Sequence, residues 1–184
     1  MTPPPPAHNA TALQRRYLRV VAGDYRVSDD PSVVLTTILG SCVAACVRDP
    51  VAGVGGMNHF MLPTSDDGYW GGSPASLRFG NFAMERLISD ILARGGRRAR
   101  LEIKLFGGAN VLRNGSQVGW KNAAYVESFV AAEGLMVEVR HLYGELPRSL
   151  RYQPITGRAA MLELRDPSTL TELETEPGIC GRGE

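Results

Sequence analysis

The sequence has little net charge, few cysteines and no long hydrophobic run. Twenty Lys and Arg residues stand against nineteen Asp and Glu, and the net charge of +1 predicts no general attraction to nucleic acid or to an anionic membrane. The most apolar stretch, residues 33–47, is shorter than the roughly 18 residues of a membrane span, so we expect no membrane insertion. The three cysteines lack disulfide-framework spacing and no signal-peptide pattern is present, so we expect a cytoplasmic protein.

One domain is expected between two tails. A chain of 184 residues with 43% hydrophobic residues can bury one sizeable core. Residues 1–12 contain four consecutive prolines and little that could pack, which predicts a disordered proline-rich arm. Residues 166–184 mix acids, threonines, glycines and prolines without a period, which predicts a disordered tail. The domain itself is therefore expected at residues 13–165.

The apolar pattern of this domain changes its period repeatedly. Residues 82–94 place apolar side chains on one helical face, with Asn81 as the expected N-cap, and a second helix is predicted at about 121–133. The other patterns are typical of strands, several joined by hairpin turns, and they lie at 17–21, 33–39, 101–105, 135–142, 149–153 and 158–164. We therefore predict an α+β fold: a single layered α/β sandwich with hairpin-rich sheets and two main helices, rather than a doubly wound parallel sheet.

Residues 35–63 predict a hairpin that carries a cysteine and a histidine. Two extended runs flank a turn at 49–52, which contains Asp and Pro. If the turn is centred on these four residues, counting outward places Cys42 directly opposite His59. Residues so paired have Cβ atoms about 4.5–5.5 Å apart and share one face of the sheet. A bulge or a one-residue slip would separate the two side chains, so this register is an expectation for the structure to test.

A thiol beside an imidazole is a typical arrangement for nucleophilic catalysis. The thiolate is the reactive form, and an unassisted cysteine is only slightly ionised near neutral pH. His59 could accept the proton of Cys42 and later give it to a departing amine or ammonia. The turn at Gly40 and Ser41 offers backbone N–H groups as oxyanion donors. A third group would orient the imidazole, but sequence position alone does not choose between Thr36 and Thr37.

Two other interpretations of these residues stay open at this point. An isolated cysteine in an apolar strand is more often a buried hydrophobe, and an isolated histidine is more often structural. A zinc site formed by Cys42, Cys46 and His59 is a second alternative. On an extended strand, however, the two cysteines would lie about 13 Å apart, which is too far to share one ion.

The paired glycines of KLFGGAN, residues 104–110, suggest a phosphate-binding loop at first sight. The sequence lacks the later Gly-Lys-Ser/Thr that such a loop needs to hold a nucleotide. We therefore interpret the segment as the turn that ends a strand.

Five segments together resemble one family, the chemoreceptor glutamine deamidases called CheD. They are LGSCVAACVRDP at 39–50, GGMNHFMLP at 55–63, FGNFAMERLI at 79–88, KLFGGANV at 104–111 and LPRSLRYQPITGR at 146–158. They occur in the family order and span most of the predicted domain. Such a set is far more specific than a single cysteine and histidine.

The resemblance implies a layered fold like that of the catalytic domains of deamidating toxins such as cytotoxic necrotizing factor. It also implies a reaction, the hydrolysis of glutamine side chains on chemoreceptor cytoplasmic domains through a cysteinyl thioester. The family's nucleophile corresponds to Cys42, its histidine to His59 and its third residue to Thr36, while Cys46 is expected to be a bystander. No metal or organic cofactor is implied, and a CheC-type phosphatase is the implied partner.

One segment departs from the family pattern, because HLYGELPR places Tyr143 and Glu145 where the family usually has a Gly-Gly-like run. Two further functions remain as alternatives to the deamidase. One is a non-catalytic chemotaxis adaptor that binds the phosphatase or receptors through the same fold. The other is a cysteine peptidase, which uses the same acyl chemistry on a different bond.

Overall fold

Nine strands and two α-helices follow one another in the computed structural model, which describes residues 14–62, 74–111 and 117–166, without the side chains of 74–79. The predicted arm at 1–12 and, except for Asp166, the predicted tail lie outside the described residues. The elements are β1 (Arg16–Arg19), β2 (Tyr25–Ser28), β3 (Val33–Leu39), β4 (Val43–Asp49), β5 (Val54–Asn58), α1 (Pro74–Ala93), a 3-10 turn (Arg98–Arg100), β6 (Glu102–Gly107), α2 (Val118–Ala132), β7 (Val137–Leu142), β8 (Arg148–Tyr152) and β9 (Ala159–Glu163).

The strands form two sheets that pack face to face, with the helices on one side. A four-stranded outer sheet has the order β1-β3-β8-β9, and a five-stranded inner sheet has the order β2-β5-β4-β6-β7. One hydrophobic core lies between the sheets, and a second lies between the inner sheet and the two helices. The α+β layered sandwich predicted from the sequence is thereby confirmed. No helix within the described ranges is long and apolar enough to cross a membrane.

Strand β4 shows how the sequence produces these layers. Successive side chains of a strand point to opposite faces, so an entirely apolar strand can serve two cores at once. Val43, Ala45 and Val47 pack toward the helices, whereas Ala44 and Cys46 pack toward the outer sheet. The central position of β4 in the inner sheet follows from this burial on both faces.

The predicted elements are mostly present, with differences at one helix and one strand. The strand predicted at 33–39 has the observed bounds, but α1 begins at Pro74 rather than after Asn81. Asn81 therefore lies inside the helix, where its Oδ1 accepts a hydrogen bond from the Tyr125 hydroxyl at 2.5 Å, so its assignment as N-cap was wrong. Proline is favoured in the first helical turn, where its missing N–H costs nothing. Strand β2 was not predicted because its four residues, YRVS, show too short an apolar pattern.

The hairpin of β4 and β5 is present, but its turn is centred one residue later than expected. Asp49 pairs with Val54, so the loop is 50–53 and not 49–52. The Asp49 carboxylate accepts hydrogen bonds from two amides inside the loop, and Gly53 adopts a positive φ of 64° that suits a turn and not a strand. The predicted direct pairing of Cys42 with His59 is therefore wrong by two residues. A shift of two keeps every side chain on its predicted face.

Candidate active site

The candidate site lies at one end of the sandwich, where the chain passes from the outer to the inner sheet. Residues 40–42 make this passage between β3 and β4, so Cys42 stands at the rim of the core between the sheets. His59 directly follows β5, and its backbone N–H and C=O are both hydrogen-bonded to the segment that joins β1 to β2. On its strand, His59 shares the face of Met57, which packs between the sheets. The sequence thus brings Cys42 and His59 to the same face of the inner sheet.

The hydrogen bonds of His59 define its tautomer. His59 is 6% exposed, and its Nδ1 lies 2.8 Å from Thr37 Oγ1. That hydroxyl donates its single hydrogen to the carbonyl of Val20 at 2.7 Å, so it can only accept from the ring. Nδ1 therefore carries the hydrogen of the neutral imidazole, and Nε2 has a bare lone pair. Nε2 has no hydrogen-bond partner within the described residues, so it is the nitrogen available to accept a proton.

Thr37, and not Thr36, is the threonine that contacts His59. Neighbouring residues of a strand point to opposite faces, and Leu35 and Leu39 pack between the sheets, which directs Thr37 to the same layer. Thr36 is directed to the other face of the outer sheet, and its buried hydroxyl has no partner in the described part of the chain. The prediction that Thr36 orients the imidazole is therefore wrong.

The segment that carries Cys42 is held by all three of its carbonyl groups. The Gly40 carbonyl accepts a hydrogen bond from Ala109 N–H, and the Cys42 carbonyl accepts one from Gly108 N–H at 2.7 Å. The Ser41 carbonyl accepts a hydrogen bond from the side-chain amide of Asn122 at 2.8 Å. In the described residues, the backbone N–H groups of Ser41 and Cys42 donate to no backbone carbonyl. These two N–H groups can therefore serve as oxyanion donors.

The glycine pair after β6 makes these contacts possible. Gly107 and Gly108 have positive φ values of 107° and 67°, and a Cβ on Gly107 would lie 2.3 Å from the Cys42 carbonyl oxygen. The segment KLFGGAN is thus the predicted strand-ending turn, and it packs directly against the segment of the candidate nucleophile.

Burial shifts the pKa of both candidate side chains toward the neutral form. Burial raises the pKa of the Cys42 thiol, although a hydrogen bond from its own N–H acts in the opposite direction. Burial also lowers the pKa of His59, and the charge of Arg19 adds to this, while the Val20 carbonyl opposes it. No hydrogen bond joins Cys42 Sγ to the ring among the described contacts. The arrangement therefore favours a neutral thiol and a neutral imidazole that transfers the proton during attack, rather than a preformed ion pair.

Cys46 lies apart from this chemistry. It is fully buried between the sheets, and burial raises the pKa of its thiol far above the ordinary range. Both Cys42 and Cys46 are free thiols. In the part of the chain that the structure describes, no three His, Cys, Asp or Glu residues come close enough to hold a metal ion.

The atypical segment after β7 is a tight turn fastened by Arg148. Tyr143 has a φ of 66°, rare for a residue other than glycine, and Gly144 follows with a φ of 86°. Arg148 is 5% exposed, and its guanidinium donates hydrogen bonds to the carbonyls of Gly107, His141 and Tyr143. Arg148 thereby connects this turn to the glycine turn beside Cys42, a role that the sequence did not suggest.

Fold and site together define a layered α+β domain with a thiol and an imidazole at one end of its β-sandwich. The chain belongs to the CheD family: the family model described as CheD chemotactic sensory transduction matches residues 61–163. A "Probable chemoreceptor glutamine deamidase CheD" of Rhodopseudomonas palustris (strain BisA53) is 56% identical over 147 residues, or 80% of this chain and 69% of the relative. A relative of the same name from Acidiphilium cryptum (strain JF-5) is 47% identical, over 84% of this chain and 81% of the relative.

The solved structures add a weaker likeness. A crystal structure of a Neisseria meningitidis protein of the family DUF152 aligns with a TM-score of 0.41 and 13% identity, over 72% of this chain and 63% of that chain. Similarity at this level supports no inference about the site.

Proposed function

We propose that this chain is a chemoreceptor glutamine deamidase, which hydrolyses glutamine side chains on receptor cytoplasmic domains to glutamate and ammonia. The observation that carries the proposal is the buried His59, whose Nδ1–H is held by Thr37 and whose Nε2 is bare, on the same face as Cys42. The names of relatives up to 56% identical support the substrate class.

In the proposed reaction, His59 Nε2 takes the thiol proton as Cys42 Sγ attacks the carbon of the glutamine amide. The negative charge that develops on the amide oxygen is stabilised by backbone N–H groups at Ser41 and Cys42. The imidazolium then gives its proton to the leaving nitrogen, so that ammonia departs and a thioester remains. Water, deprotonated by the same imidazole, attacks the thioester and releases glutamate with the free thiol. These steps require no metal or organic cofactor.

The proposed setting is the cytoplasm, in which free thiols such as Cys42 and Cys46 remain reduced. A CheC-type phosphatase is the proposed partner, on the strength of the family resemblance. The purified protein should co-elute with such a phosphatase in size-exclusion chromatography, and separate elution would remove this part of the proposal.

Incubation of the full-length protein with a receptor cytoplasmic domain tests the proposed activity. Mass spectrometry should show the mass gain of Gln-to-Glu conversion at specific sites, together with released ammonia. Cys42→Ala should abolish both signals, whereas the matched variant Cys46→Ala should retain them because Cys46 is buried away from the site. Receptor binding without any mass change would favour a non-catalytic adaptor, and cleaved receptor backbone would favour a cysteine peptidase.

A further inference from the structure

Asn122 is a fully buried amide that joins the two segments of the candidate site. Its Nδ2 donates a hydrogen bond to the Ser41 carbonyl at 2.8 Å, and its Oδ1 accepts one from the Leu62 N–H at 3.0 Å. Ser41 precedes Cys42 directly, and Leu62 lies on the segment that follows His59. One side chain on α2 therefore holds the backbone just before Cys42 and the backbone three residues after His59.

The helix that carries Asn122 is itself held close to the nucleophile segment. A Cβ on Gly119 would lie 2.1 Å from the Ala109 carbonyl oxygen, so α2 packs directly onto the glycine turn. The glycine turn donates hydrogen bonds to the carbonyls of Gly40 and Cys42. Because these contacts leave α2 little freedom to shift, Asn122 holds the Ser41 carbonyl in a defined direction.

The direction of the Ser41 carbonyl determines the direction of the Cys42 N–H. Both belong to one peptide group, which is planar and trans, so the C=O and the N–H point in opposite directions. With the carbonyl bound to Asn122 on the helix side, the N–H points away from α2. This N–H donates to no backbone carbonyl in the described residues, so it is available to a substrate oxygen beside the sulfur of its own residue.

We propose that Asn122 is a positioning residue that aligns the Cys42 N–H as an oxyanion donor. The inference rests on the proposed function, in which Cys42 is the nucleophile. Asn122 touches neither substrate nor reacting atoms and acts through the peptide group between Ser41 and Cys42. Its removal should therefore weaken reactions that pass through an oxyanion and leave simple thiol substitution almost unchanged.

Asn58 provides a matched control in the same chain. It is also buried, accepts a hydrogen bond from the Ala45 N–H at 2.8 Å and donates one to the Ala83 carbonyl at 3.1 Å. Its donated bond fastens α1 rather than the nucleophile segment. Asn58→Ala and Asn122→Ala therefore each remove a buried amide that accepts one backbone hydrogen bond and donates another. Only Asn122→Ala removes a hydrogen bond to the residue next to Cys42.

Two small reagents distinguish a misaligned oxyanion donor from a general loss of structure around Cys42. p-Nitrophenyl acetate acylates Cys42 through a tetrahedral oxyanion, whereas iodoacetamide alkylates it without one. Rates at Cys42 are measured in the full-length protein by mass spectrometry of its peptide, which also resolves Cys46 and Cys180. Asn122→Ala should lower acylation relative to alkylation by about 10- to 100-fold, less than the roughly 10²–10³ seen when an oxyanion donor is removed outright. Asn58→Ala should leave the ratio within about twofold of wild type, where donor geometry is intact.

Asn122→Leu keeps the branched shape of the side chain without its hydrogen-bonding groups, so it should show the same fall in the ratio without leaving a cavity. An unchanged ratio in both Asn122 variants, or an equal fall in Asn58→Ala, would overturn the inference. A fall in the acylation-to-alkylation ratio that is confined to the Asn122 variants supports the role of Asn122. If the wild-type protein at the same time leaves receptor glutamines intact, only the proposed function is refuted. Receptor deamidation with an unchanged ratio would refute only the role of Asn122.

Discussion

The hydroxyl of Thr37 determines which nitrogen of the neutral His59 ring carries the hydrogen. Thr37 is both acceptor from the ring and donor to the Val20 carbonyl, so a single hydrogen fixes the direction of two bonds. Without it, Nδ1–H would retain only the Val20 carbonyl at 3.4 Å, a long contact that orients the ring poorly.

Replacement of Thr37 by valine, which has the same shape without the hydroxyl, tests this role. Thr37→Val should lower kcat by up to about 100-fold, because a misplaced base loses alignment with the proton it must accept. KM should change little, since Thr37 lies behind the imidazole. Steady-state ammonia release from receptor domains measures both constants.

Thr36→Val is the control one residue away. The Thr36 hydroxyl is buried without a partner in the described residues, so its removal should leave activity intact and be neutral or stabilising by up to about 1 kcal/mol. Loss of activity in Thr36→Val with normal activity in Thr37→Val would contradict the assignment of the orienting residue.

At the scale of elements, β5 depends on two glycines because it is enclosed on both sides. A Cβ on Gly55 would lie 2.7 Å from Arg48 Cβ, on the side of the outer sheet. A Cβ on Gly56 would lie 2.4 Å from the Arg26 carbonyl oxygen and 2.8 Å from Leu87 Cδ1 on α1. The absence of side chains at these positions lets β2 and α1 approach β5 closely.

Gly56→Ala should therefore destabilise the protein by about 1–3 kcal/mol, the usual cost of overpacking a core. The contact is with backbone of β2, which cannot rotate away as a flexible side chain could. Urea denaturation followed by circular dichroism measures the change. Val51→Ala, at a position 73% exposed in the same hairpin, should stay within about 0.5 kcal/mol of wild type. Equal stability of the two variants would show that β2 can move away from the added methyl group without loss of folding free energy.

The sequence predicted these elements well because their patterns are local. The strand at 33–39 and both helix cores could be predicted from periodicity, and Asp-Pro indicated the β4–β5 turn. The register could not be derived, because it depends on the Asp49 side chain binding amides inside the loop. The choice between Thr36 and Thr37 also could not be derived, since it depends on which face of the outer sheet meets the inner one.

At the scale of the whole molecule, the site is assembled from segments that are distant in sequence. Asn122 lies 81 residues from its partner Ser41, and Arg148 lies 41 residues from Gly107. Sequence periodicity carries no information on such pairs, so Cys42 and His59 could be nominated as candidates but their supporting residues could not. The layered fold supplies what sequence spacing lacks, because it brings the passage at residues 40–42, the segment after β5 and the glycine turn to one end of the sandwich.

A second long-range connection, at the opposite end of β4, links the β4–β5 turn to the segment before β6. The carboxylate of Asp49 is fully buried and accepts hydrogen bonds from the Arg100 guanidinium, with its shortest contact at 2.6 Å. It also accepts bonds from the N–H groups of Val51, Ala52 and Arg97. Burial alone would raise the pKa of Asp49, but these donors outweigh it and hold the pKa well below its ordinary range.

The lowered pKa of Asp49 predicts how stability of the whole fold depends on pH. A carboxyl with a lower pKa in the folded state contributes stability above its unfolded pKa of about 3.9, and this is lost as pH falls toward the folded pKa. Asp49→Asn should cost about 3 kcal/mol at pH 7, because it leaves the partly buried Arg100 without its counter-ion, and should make stability less dependent on pH below about 4. Asp90→Asn removes an exposed pair with Arg94 and should cost no more than about 0.5 kcal/mol. Urea unfolding between pH 3 and pH 7 measures both variants, and an acid dependence in Asp49→Asn as steep as in wild type would show that other carboxyls govern acid unfolding.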